Sequence, residues 1–147
     1  MPPKKVAAVV TEFRKWSHAD VILRNLLEGY PEGKKTNLEL VSLYTDQVPK
    51  NDLSRQRAQE FGFPIYPTIA EALRCGTGKL AVDAVLVIGE HGNYPVNELG
   101  QRQYPRYEFF KQVVDVFRKD GLGRQSLSIF NDKHLSTEWK KCTEMVA

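Results

Sequence analysis

The chain has 147 residues, 41% of them hydrophobic and 27% charged, with a formal net charge of +3. That length suits one domain able to bury about two-thirds of its unfolded surface, with the composition of an ordinary globular protein. The basic residues are scattered, with no run longer than a pair such as Lys4-Lys5, Lys34-Lys35 or Lys140-Lys141, which argues against nucleic acid, and no apolar stretch nears the roughly 20 residues that cross a bilayer.

In chain order, Pro2, Pro3, Lys4 and Lys5 precede an apolar run that ends by Val10, which is not a secretory signal. Residues 6–10 (VAAVV) read as a first buried strand. Residues 11–16 read as a polar loop, with Ser17 and Asp20 as a capping box for a helix. Ala19, Ile22, Leu23, Leu26, Leu27 and Tyr30 mark its buried stripe, and Gly29, Pro31 and Gly33 end it.

A second strand is expected over 38–45 (LELVSLYT), closed by Asp46, and Asn51 or Asp52 is placed to cap a short helix ending at Gly62. Residues 64–66 read as a brief third strand near an edge, because two prolines bracket them. Thr68 caps a helix over 69–75.

Residues 81–88 are almost unbroken apolar and valine-rich, as a strand buried on both faces would be. A polar loop over 90–103 leads to a helix starting near Pro105, with Phe110, Val113, Val114 and Phe117 inward and Gly121 and Gly123 closing it. A fifth strand over 127–130 and a helix capped by Ser136, with Leu135, Trp139, Cys142 and Val146 along one side, complete the chain. Strands alternating with helices predict one three-layer α/β domain over 1–147, mostly parallel, in strand order 3-2-1-4-5. Cys75 and Cys142 stand far apart, as reduced buried thiols of a cytoplasmic protein would.

The functional lead lies at the strand ends. In open α/β sheets ligands bind beyond the carboxyl ends of the strands. All three histidines fall there: His18 after the first strand, His91 after the fourth and His134 after the fifth. Asp46, Glu90 and Asp132 sit at strand ends too. The order above brings the imidazoles to one crevice between the first and fourth strands, where histidine can move protons or ligate metal. Lys133 becomes an acid catalyst if burial or nearby cations lower its pKa. Asp46 is placed where a ribose-binding carboxylate belongs in dinucleotide sites. Thr11, Ser17 and His18, at the first turn and helix start, are the residues to meet a phosphate, helped by Arg14 or Lys15 and opposed by Glu12. That turn contains no glycine, so the G-x-G-x-x-G fingerprint is absent.

LELVSLYTDQ, then EFGFPIYPTIAEAL, then VDAVLVIGEH, and finally DKHLST opening a helix, resemble the amino-terminal Rossmann domain of the Gfo/Idh/MocA oxidoreductases. The EHG, YPR and DKHL signatures also resemble those of longer bacterial proteins without assigned activity. The family resemblance implies a Rossmann-like fold, NAD or NADP as cofactor and oxidoreductase chemistry. It places Lys133 where the family has the lysine of its Glu-Lys-Pro motif, and Asp46 at the adenosine ribose. Together with the residues at the strand ends and first turn, this gives Lys133, His134 and His91 as the catalytic candidates and Thr11, Ser17, His18, Asp46 and Glu90 as the cofactor-binding ones. His134 replaces the motif's proline. The chain ends where the family's substrate domain begins, so the expectation is a truncated or stand-alone domain, and the catalytic histidine of that second domain has no counterpart.

Two other readings stand beside this one. A metal-assisted or acid–base hydrolase acting on a small molecule would use His18, His91, His134, Glu90 and Asp132, a set suited to a divalent metal. A non-catalytic homodimer would use the aromatic stretch that opens residues 104–117.

Overall fold

The computed structural model describes residues 1–122 and 127–147. Gly123, expected to help close a helix, lies outside them. The elements are β1 (Lys4–Val10), α1 (His18–Leu27), β2 (Leu38–Thr45), α2 (Ser54–Phe61), α3 (Ile69–Arg74), β3 (Ala84–Ile88), α4 (Arg106–Lys119), β4 (Ser128–Asn131) and α5 (Trp139–Val146).

The sheet is parallel throughout, in the order β2-β1-β3-β4. The five-strand order 3-2-1-4-5 is therefore corrected to four strands among the described residues. The segment expected as third strand makes one isolated parallel bridge, Leu43 with Ile65, on the edge strand β2. Its prolines explain this: Pro64 and Pro67 flank two residues and have no N–H to extend a ladder.

β1 is central because it is apolar on both faces. Ala7 and Val9 point to one layer with Val85, Val87, Ile69, Leu73, Phe109, Val113 and Phe117. Ala8 and Val10 point to the other, with Phe13, Ala19, Leu23, Leu40, Leu43, Phe63 and Ile88. The alternation of a strand thus sorts one run of five small residues into two cores, each buried valine worth about 1.5–3 kcal/mol. The result is a three-layer, Rossmann-like arrangement.

Several local expectations shift. Ser17 caps α1 as predicted, accepting from the Asp20 amide at 3.2 Å, but Asp20 accepts from the Trp16 amide instead of closing the box on Ser17. The cap residue of α2 is Leu53, without a side-chain bond, while Asp52 accepts from the Ser54 hydroxyl. Gly62 ends α2 at φ 73, a left-handed position that suits glycine. Thr68 caps α3 through the Glu71 amide. In α4, Pro105 stands at the cap and the inward stripe is Phe109, Val113, Val116 and Phe117, so Val113 and Phe117 face in as expected while Phe110 and Val114 are half-buried. α5 has no buried residue, and Trp139 and Val146 are exposed. The side expected to face inward, with Trp139 and Val146 on it, therefore stays open to solvent among the described residues. Both cysteines are free and half-buried.

Candidate functional site

Three loops leave the carboxyl ends of β1, β3 and β4 and meet at one rim. Backbone bonds prolong the sheet into them. The Thr11 amide donates to the Ile88 carbonyl at 3.2 Å, the Asp46 amide to Val10 at 3.0 Å and the Asp132 amide to Val87 at 2.9 Å. The residues just past the strands are thus held almost as firmly as the strands themselves.

The loop after β1 folds inward. Thr11, Phe13 and Ser17 are fully buried. The Thr11 hydroxyl donates to the Glu90 carbonyl at 2.6 Å, tying this loop to the one after β3. Glu12, nearly buried, accepts from Arg14 Nε at 2.5 Å. The Arg14 guanidinium continues to His91, its Nη2 lying 3.2 Å from Nδ1.

The loop after β3 turns sharply. Arg106, the first residue of α4 and 3% exposed, crosses Gly89 and contacts two partners. Its Nη2 donates to Glu90 at 2.6 Å, and its Nη1 lies 2.8 Å from His134 Nε2. Beyond Gly92, whose φ is 116, the loop reaches across to β2. The Gln47 side chain donates to the Asn93 carbonyl and accepts from its amide, and the Tyr94 hydroxyl donates to Asp46 at 2.7 Å. Tyr44 donates to the other oxygen of Asp46, also at 2.7 Å. Burial first, and then these bonds to Asp46, push the phenols of Tyr44 and Tyr94 well above the usual tyrosine range.

The loop after β4 carries Asp132, whose carboxylate lies 2.7 Å from His18 Nδ1. The His18 and His91 rings meet edge to face, centroids 5.1 Å apart. Burial first, and then the Arg14 charge, hold His91 below the ordinary histidine pKa. Among the described residues, left-handed backbones on residues other than glycine occur at Trp16 (φ 65), Cys75 (φ 48), His91 (φ 68) and Lys133 (φ 72). Three of these four stand in the three rim loops.

The expected residues are only partly brought together. His18 meets both Asp132 and His91, while Glu90 and His134 share the Arg106 guanidinium. Asp46 stands at the end of β2, exposed. Thr11 and Ser17 are spent inside the first turn: the Ser17 hydroxyl accepts from the Asp20 and Arg14 amides, so neither side chain faces outward. Lys133 is exposed and makes no hydrogen bond among the described residues. Glu12, expected to oppose an anion, is ion-paired with Arg14.

The metal set His18, His91, His134, Glu90 and Asp132 does not assemble. Among the described residues no group of three His, Cys, Asp or Glu side chains is placed to hold an ion. Arg14 and Arg106 stand between the candidate ligands and occupy His91, His134 and Glu90. The aromatic stretch offered for a dimer is largely used within the chain. Phe109, Val113 and Phe117 are core, and the Arg106 guanidinium packs on Tyr104 at 4.9 Å. Sequence reasoning missed the contact of Arg106 with His134 and the tie between Gln47 and Asn93, neither of which leaves a signal in the spacing of the chain.

No family model and no curated protein matches the chain. Among solved structures, it is similar to the crystal structure of biliverdin reductase in complex with biliverdin and NADP+ from Synechocystis sp. PCC 6803, at 17% identity and a TM-score of 0.40. That likeness covers 86% of this chain, which spans 37% of the length of the other. Among the described residues no helix is long and apolar enough to cross a membrane.

Proposed function

We propose that this chain is a Rossmann-type nucleotide-cofactor domain related to the NAD(P)-dependent oxidoreductases of the Gfo/Idh/MocA kind, taking NAD or NADP at the rim between β1 and β3. One observation carries the reading. The sheet changes direction of winding between β1 and β3, and the amino end of α1 and the loop bearing His91 follow those two strands, with His18 and His91 in edge-to-face contact. Switch points are where open α/β sheets bind nucleotides.

The donor set suits such a cofactor with altered chemistry at the phosphates. Backbone amides next to glycines are replaced by cations: Arg14 keeps Nη1 free of hydrogen bonds among the described residues, and Lys15 is exposed beside it. Asp46 accepts two tyrosine hydroxyls, yet a carboxylate has about four acceptor positions, which leaves room for ribose hydroxyls. A nicotinamide nucleotide supplies hydride transfer when bound; the chain supplies the cations, the ribose acceptor and the histidines.

Fluorescence titration with NADH and NADPH at low and high salt tests this. Binding is expected, weakened by salt because it rests on charged side chains. The double substitution Arg14→Ala and Lys15→Ala is expected to lower affinity about tenfold or more, as lost charge-assisted contacts do. No fluorescence or calorimetric response at millimolar cofactor would overturn the proposal.

A further inference from the structure

We propose that His18, oriented by Asp132, is the residue that takes up and returns the proton of a substrate hydroxyl. It rests on the oxidoreductase reading above and narrows the substrate to an alcohol or the carbonyl compound derived from it.

The argument is one of lone pairs. Arginine only donates hydrogen bonds. His91 Nδ1, 3.2 Å from Arg14 Nη2, must therefore be the accepting nitrogen, and the ring's proton sits on Nε2. That Nε2 is buried and has no partner among the described residues. His134 Nε2, 2.8 Å from Arg106 Nη1, must likewise accept, and its proton sits on Nδ1. Each arginine thus occupies the lone pair with which its imidazole would accept a proton.

His18 has the opposite polarity. A carboxylate only accepts, so Asp132 takes the bond from Nδ1–H at 2.7 Å and leaves the lone pair on Nε2. Among the described residues Nε2 has no hydrogen-bond partner, and the side chain retains 31% exposure. Asp132 is fixed in turn by its own amide on the end of β3. An imidazole oriented through one nitrogen by a carboxylate and open at the other is the arrangement general base catalysis requires.

The proton balances within the chain's own groups, and the hydride of the alcohol carbon would pass to the oxidised nicotinamide nucleotide of the reading above. The substrate O–H bond breaks, its electron pair stays on oxygen, and the proton bonds to Nε2. The resulting imidazolium lies against the Asp132 carboxylate. His91 packs edge-on at 5.1 Å, with the Arg14 guanidinium at its Nδ1. In the carbonyl-reducing direction the same proton returns to oxygen.

Two measurements on the unmodified chain test the assignment. Nitrogen-15 NMR of the imidazoles, in the pH range where they are neutral, should show Nδ1–H on His18 and His134 and Nε2–H on His91. Diethyl pyrocarbonate acylates a free imidazole lone pair, and peptide mapping by mass spectrometry gives the rate at each histidine. Exposure alone would make His134 react first, since it is exposed whereas His18 is half-buried. The proposal expects His18 first, about tenfold or more ahead of the other two, whose lone pairs are held by charged donors. Asp132→Asn should slow His18 and mix its tautomers while far-UV circular dichroism stays unchanged. An Nε2–H tautomer at His18, or His134 reacting as fast as His18, would overturn it. Neither readout contains a nicotinamide nucleotide, so failure of cofactor binding and failure of His18 are separate results.

Discussion

Arg106 lies so close over Gly89 that a Cβ built on the glycine would come within 2.7 Å of the arginine's Cγ. The missing side chain at position 89 is what lets one guanidinium reach both Glu90 and His134. Arg106 is packed at the head of α4 and cannot swing out to make room. Gly89→Ala is therefore expected to cost about 1–3 kcal/mol through overpacking. A urea midpoint equal to that of the parent chain would contradict the contact.

Removing the guanidinium has a different signature. Arg106→Met leaves Glu90 partly buried without its partner, and a charged hydrogen bond is worth about 1.5–3 kcal/mol. The loss should be concentrated at the rim. Hydrogen exchange is expected to quicken in residues 89–95 and 131–134 while the amides of β1 keep their protection. Uniform acceleration throughout the sheet would place Arg106 in the global core instead.

The His91 environment makes stability depend on pH. Its pKa is lowered on folding, so the unfolded chain binds a proton more readily than the folded one. The stabilisation is complete above the unfolded value of about 6.5 and is lost as the pH falls through the folded value. Denaturant midpoints should fall between about pH 7.5 and pH 5, a window that brackets that ionisation. His91→Asn should flatten the slope. An equal slope in both proteins would exclude His91 as its source.

Asp46 offers an optical test. Tyr44 and Tyr94 are expected to ionise last among the tyrosines in an alkaline absorbance titration, because burial and Asp46 both disfavour their phenolates. Asp46→Ala should lower both without restoring ordinary values, since burial is the larger cause. Simultaneous ionisation of all six tyrosines would show that the loop after β3 does not reach β2.

The meeting of His18 and His91 was legible because it depends on backbone topology. Apolar runs fix where strands end, and parallel strands send their carboxyl ends to one side. The partners were less legible. Whether Arg14 meets Glu12, His91 or a ligand depends on side-chain reach over several ångströms, which spacing along the chain does not encode. The stripe of α4 was misjudged for a related reason. Val113 and Phe117 are buried as expected, but Phe110 and Val114 are as apolar as Phe109 and Val116, and only the docking angle of the helix decides which pair is buried. Residues 64–66 failed as a strand because propensity cannot say how many ladder bonds two flanking prolines permit.

Trp16, His91 and Lys133 show a tension between holding the rim's shape and folding well. A left-handed backbone on such residues costs on the order of 1–3 kcal/mol. Glycine adopts it freely, so Lys133→Gly, at an exposed position, should stabilise the chain by up to about 1 kcal/mol in thermal unfolding. Selection for heat resistance alone would drift toward glycine at all three, loosening the same turns that aim His18, His91 and Asp132. A hardened variant of this protein would therefore be the wrong starting material for anyone looking for its chemistry.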